Sequence, residues 1–75
     1  MALVLKIDKG GIKQGNRKHK TVECDYFVVY DKGKNYLQLD TYGSKDRKIL
    51  DKMSQSLRFS PEAIKQLKEL LSREF

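Results

Sequence analysis

The sequence predicts an α+β domain: a four-stranded antiparallel meander followed by one C-terminal helix, in the order ββββα. Three observations lead there. Apolar side chains recur every second residue in several short runs ahead of Pro61, which is the period of a half-buried strand. Beyond Ser60 the period changes to that of an amphipathic helix. The charge follows the same division: residues 1–60 carry 13 Lys/Arg against 7 Asp/Glu, a net of +6, while residues 61–75 carry three of each. A basic sheet and a neutral packing helix are the two parts this implies.

Leu3, Leu5 and Ile7 alternate with Val4 and Lys6 and give the first strand. From Lys9 to Lys20 the segment KGGIKQGNRKHK has five Lys/Arg, three Gly and no acid, so it is expected to be a mobile basic loop. Val22 to Tyr30 is rich in β-branched and aromatic residues and gives the second strand, with Phe27 and Val29 on one face and Tyr26, Val28 and Tyr30 on the other. Asp31-Lys32-Gly33-Lys34 then signals a hairpin into a third strand, Asn35 to Tyr42. There Leu37, Leu39 and Thr41 share a face, with Tyr36, Gln38, Asp40 and Tyr42 opposite. All four tyrosines, Tyr26, Tyr30, Tyr36 and Tyr42, are expected on a single sheet face.

Gly43 to Lys52 is a polar, basic loop leading to a fourth strand, Ser54 to Phe59, with Leu57 and Phe59 inward and Ser56 and Arg58 outward. The helix start is well marked. Ser60 can cap, Pro61 suits the first helical position, and Glu62 meets the positive end of the helix. Ile64, Leu67, Leu70, Leu71 and Phe75, with Ala63 alongside, make a stripe wider than one short helix needs to cover a small sheet. A homodimer joined through these helix residues is therefore expected, with the two basic sheets facing outward.

Size points the same way. Seventy-five residues make one domain, 1–75, and a domain near that size buries only about 60% of the surface its unfolded chain exposes. Cys24 is the only cysteine, so no disulfide forms within the chain. With His19 the only other soft ligand, zinc has no site, and a half-buried thiol and a loop imidazole are expected. No cofactor, metal or small-molecule substrate is implied. The apolar runs are too short to span a bilayer or to act as a signal peptide, so a protein of a reducing compartment without membrane association is expected.

YFVVYDKGKNYLQLDTYG followed by SQSLRFSPEAIKQLKELL resembles the DNA-binding domain of the transcriptional coactivator positive cofactor four, over about residues 20–72. What matches is an aromatic-plus-Val strand ending in Asp31, the Lys32-Gly33-Lys34 turn, the Leu37/Leu39 strand, and a short strand running into Ser-Pro-Glu and Gln66-Leu67-Lys68. The resemblance implies homodimers formed through the helix. It also implies curved sheets that bind single-stranded DNA largely without sequence preference, as the related Whirly proteins share the strand and helix order. By position, Lys32 and Lys34 correspond to that family's phosphate-contacting hairpin, and Tyr42 falls near its base-stacking aromatic, usually Trp. This chain has no Trp, shows no acidic, serine-rich leader and has a longer basic loop after the first strand. A eukaryotic coactivator role is accordingly not expected; a bacterial or phage-encoded, nucleoid-associated protein of the cytoplasm is.

Single-strand binding asks for cations along the phosphates and aromatic faces for the bases. The phosphate candidates are Lys6, Lys20, Lys32, Lys34, Lys45, Arg47, Lys48 and Arg58, helped by Arg17 and Lys18; the stacking candidates are Tyr30, Tyr36 and Tyr42. A duplex reader would present a basic recognition helix, and the helix here is neutral. Single-stranded RNA offers the same phosphates and bases, so an RNA binder or RNA chaperone is the nearest alternative. A small metal-dependent nuclease would use Glu23, Asp25 and Asp40, but Asp40 is expected on a different face from the other two, so catalysis is not expected. A pure dimerisation module would put the tyrosines against protein.

Overall fold

The computed structural model describes residues 1–15, 21–42 and 55–75. Four strands and a helix follow one another as β1 (Ala2–Val4), β2 (Glu23–Asp31), β3 (Lys34–Tyr42), β4 (Gln55–Phe59) and α1 (Pro61–Glu74). The α+β class and the ββββα order are those expected from the sequence, but the sheet is not a meander. Its strand order is β1-β4-β3-β2, and β1 runs parallel to β4 while the other two pairs are antiparallel. The physical reason lies in the connections. A tight turn forces β2 and β3 to be neighbours, whereas the chain from Val4 to Glu23 is long enough to let β1 cross to the far edge, as a parallel pair requires.

The β2–β3 turn is as short as a hairpin permits. Asp31 pairs with Lys34, leaving Lys32 and Gly33 as the two central residues, with φ of 51° and 77°. Two consecutive positive φ values define a type I′ turn, whose twist matches that of the strands it joins. Gly33 takes this conformation without steric cost, while Lys32 does not.

Pairing then assigns the faces, because residues directly opposite one another in a sheet project to the same side. Tyr26 lies opposite Leu39, Val28 opposite Leu37, Leu39 opposite Leu57 and Leu37 opposite Phe59, with Ala2 and Val4 completing an apolar face. On the other face Phe27 lies opposite Gln38, Val29 opposite Tyr36, Asp25 opposite Asp40 and Gln38 opposite Arg58. The helix packs against β3 and β4, and its apolar stripe has its chemical match in the first of these faces.

Ser60 joins three elements. It is buried, its hydroxyl accepts the N–H of Ala63 at 3.2 Å to cap α1, and that hydroxyl also reaches the Leu5 carbonyl at 3.4 Å. Its own N–H donates to the Val4 carbonyl at 3.0 Å, extending the β1–β4 ladder by one bond. Further along, the Ile7 N–H donates to Gln66 Oε1 at 2.8 Å, so the segment after β1 is held along one flank of the helix.

Little is sealed from water. Among the described residues Ala63 is the one fully buried apolar side chain, while Leu57, Val28 and Leu71 stay exposed and Phe75 is 94% exposed. Cys24, expected half-buried, is exposed on the outer strand β2, where its thiol points to the Asp25 carbonyl at 3.6 Å. No helix among the described residues is long and apolar enough to cross a membrane.

Ser60→Ala removes the cap and the contact to Leu5 together. The expected loss is about 1–2 kcal/mol, which for a domain this small lowers the melting temperature by roughly 4–16 °C. A thermal melt followed by circular dichroism measures it; an unchanged midpoint would contradict the role given to Ser60.

Candidate nucleic-acid interface

The tyrosines do not share a face. Tyr26 and Tyr30 project from β2 on the apolar side, with Leu39 and Asn35 as their partners, and Tyr36 and Tyr42 project from β3 on the other. A two-residue turn has this consequence directly. When the loop contains an even number of residues, even-numbered positions on one strand pair with odd-numbered positions on the other. The side opposite the apolar face therefore collects Glu23, Asp25, Phe27, Val29 and Asp31 from β2 with Lys34, Tyr36, Gln38, Asp40 and Tyr42 from β3 and Ser56 and Arg58 from β4.

Three of these residues form a row across the sheet. Gln38 stands on the central strand with Phe27 opposite on β2 and Arg58 opposite on β4. Two interstrand spacings separate the ring from the guanidinium backbone position, roughly 10 Å. Phe27 is 44% exposed, and Tyr36 and Tyr42 are half-buried. Lys34 sits two positions before Tyr36, at the turn end of the same face, and Lys32 stands at the tip.

The next row is polar and tied together. Ser56 Oγ donates to Asp40 Oδ1 at 2.7 Å, and Gln38 Nε2 donates to the same oxygen at 3.1 Å. Gln38 Oε1 in turn accepts from Arg58 Nη2 at 2.7 Å and Nε at 3.2 Å. Asp40 is only 7% exposed, and these donors account for its tolerance of burial.

Asp25 lies directly opposite Asp40, so the expected divergence of the carboxylates is overturned: Glu23, Asp25 and Asp40 share one face. The reason is again the parity of the turn. Even so, no group of three His, Cys, Asp or Glu side chains among the described residues is placed to hold a metal ion.

The face thus gathers Lys34, Tyr36, Tyr42 and Arg58 from the expected set and leaves Tyr30 on the other side. Lys6 lies beyond β1 and pairs with Asp8 at 3.4 Å, away from the strands that build the face. Arg17, Lys18, Lys20, Lys45, Arg47 and Lys48 lie outside the described residues. Of the helix residues expected at a dimer contact, Ile64, Leu67 and Leu70 are half-buried, and Leu71 and Phe75 are exposed. Phe27, Val29, Gln38 and Ser56 belong to the face and are absent from the sequence-based set. Counting the turn residues and applying the pairing parity would have placed Phe27 and Val29 there.

No protein-family model, curated protein or solved structure matches the chain.

The geometry separates two aromatic residues of one strand by face. Phe27→Ala is expected to weaken binding of a single-stranded oligonucleotide by about 1–3 kcal/mol, the usual worth of a base stack, while Tyr30→Ala leaves it within twofold. Fluorescence anisotropy of the two variants side by side decides; the reverse order would place the binding face on the apolar side.

Proposed function

We propose that the chain binds single-stranded DNA, largely without regard to sequence, as a homodimer and without catalysing a reaction. The observation that carries this reading is the second sheet face, where Phe27, Tyr36 and Tyr42 are interleaved with Lys34 and Arg58 in a chain of net charge +6. Flat rings accept any base and cations track the phosphates, so the combination favours single strands over duplexes, whose bases are already stacked. The one helix among the described residues is neutral and packs on the sheet, so it supplies no reading element for a major groove.

The hairpin tip supports the same reading. Lys32 holds φ at 51°, a conformation where Gly or Asn is the cheaper residue, and its partner in the turn is flanked by a second lysine, Lys34. A backbone cost accepted in order to place a cation at an exposed tip is what a phosphate-contacting hairpin would show. The roles consistent with this binding are transcription regulation, replication, recombination or repair in the cytoplasm of a bacterial or phage-infected cell.

A second copy is the reading that supplies the missing burial. On the apolar stripe of α1, Ala63 is buried and Leu67 and Leu70 are half-buried, whereas Leu71, 48% exposed, and Phe75, 94% exposed, are left open towards its C-terminal end. Apolar β2 residues Tyr26, Val28 and Tyr30 are exposed as well. Joining two such surfaces removes them from water and leaves the face of Phe27, Tyr36, Lys34 and Arg58 open on each copy.

Anisotropy titrations with matched single-stranded DNA, duplex DNA and single-stranded RNA at several salt concentrations test the proposal. If about five phosphates are engaged, log affinity falls against log salt with a slope of about −3.5, and Lys32→Asn brings it to about −2.8. The same variant is expected to gain roughly 0.5–1 kcal/mol of stability by relieving the left-handed lysine. A flat salt response or a preference for duplex would overturn the reading, and a preference for RNA would change the ligand.

Leu71→Asp places a charge on the part of the apolar stripe that the sheet leaves exposed, and circular dichroism checks that the variant stays folded. Light scattering should then report a monomer where the unaltered chain gives a dimer. A monomer for both would remove the dimer from the proposal.

A further inference from the structure

We infer that Gln38 is a positioning residue: it holds the Arg58 guanidinium at a fixed place on the binding face, ready for a phosphate of the single strand. The inference rests on the nucleic-acid reading above and concerns how that face is organised.

Arg58 is directed by two of its own N–H groups. Nε and Nη2 both donate to one atom, Gln38 Oε1, at 3.2 and 2.7 Å. Gln38 cannot swing away with it, because its amide nitrogen is engaged to Asp40 Oδ1 at 3.1 Å. Asp40 is fixed in turn by Ser56 Oγ at 2.7 Å, and both residues of that bond are buried. The chain of contacts therefore runs from a buried anchor outward to a half-buried cation, across four residues of two neighbouring strands.

Its chemistry suits a positioning role more than a charge pair would. A carboxylate next to Arg58 would neutralise it and compete with a phosphate. A neutral amide oxygen instead takes one edge of the guanidinium, leaves its full charge, and leaves Nη1 to face a ligand. Arginine's planar fork binds phosphate well only when it is held in register, and a free side chain would lose rotamer freedom on binding. Gln38 removes that loss in advance. The negative charge of Asp40 is kept one residue further back, with its Oδ1 already occupied by two donors.

A double-mutant cycle reads this directly. Gln38→Met keeps the length of the side chain and removes the acceptor; Arg58→Gln removes the cation. Gln38→Met is expected to weaken binding of a poly-thymidine oligonucleotide by about three- to tenfold with the salt slope unchanged, since no charge is lost. Arg58→Gln is expected to weaken it and to reduce the magnitude of the slope by about 0.7. The double variant should bind no more weakly than Arg58→Gln alone, because Gln38 acts only through Arg58. Ser56→Ala, which loosens the buried end of the chain, serves as a milder second variant and should show the same lack of additivity. Additive losses, or an altered slope for Gln38→Met, would overturn the positioning role while leaving the nucleic-acid reading in place. Failure of the unaltered chain to bind the oligonucleotide would overturn both.

Discussion

The two-residue turn at Lys32-Gly33 is the constraint on which the rest of the arrangement depends. By closing the β2–β3 hairpin with Asp31 opposite Lys34, it fixes a register that persists without interruption to Glu23 opposite Tyr42. A side-chain period of two means that one residue more or fewer in that turn would exchange every side chain of β2 between the faces. Phe27 would then leave Gln38 and Tyr36, and Tyr26 and Tyr30 would come round to join them. The composition of the face that carries Phe27, Tyr36 and Arg58 is thus a consequence of turn geometry, and the turn is in turn specified by Gly33, whose φ of 77° costs it nothing.

The second governing fact is a shortage of enclosed volume. A sheet with one three-residue edge strand and a single helix cannot enclose its own apolar residues, and Ala63 marks the one place where sheet and helix seal completely. Ser60 keeps this small assembly in order by capping α1 while holding the end of β1 against β4. Polar bonding does on the other face what packing does not: the Ser56, Asp40, Gln38 and Arg58 chain links β3 to β4 through side chains as well as through the ladder. Such a linkage gives a face direction and rigidity without the burial of apolar surface.

Particular elements show how far the residues alone carry. The cap at Ser60, the proline at the first helical position and the wide stripe of α1 were all readable, because capping and helical periodicity are local and act within a few residues. β2 and β3 were readable within a residue or two from alternation and from the Asp-Lys-Gly-Lys turn. Grouping four tyrosines by eye on one face was not correct. Residue types suggested it, and the parity of an even loop forbids it. The same parity put Phe27 on the face of Tyr36 and Tyr42 and brought Asp25 opposite Asp40.

The sequence by itself determined the types of the elements, their order and the placing of the positive surplus ahead of a neutral helix, since each follows from interactions between residues close along the chain or from composition. Only the tertiary structure decided that β1 pairs in parallel with β4 and that Gln38 ties Arg58 to Asp40. Those outcomes join residues far apart in sequence. Once a connection is too long to dictate its neighbours, the pairing goes to the strand edge and donor or acceptor that folding leaves open, and no local pattern records which one that is.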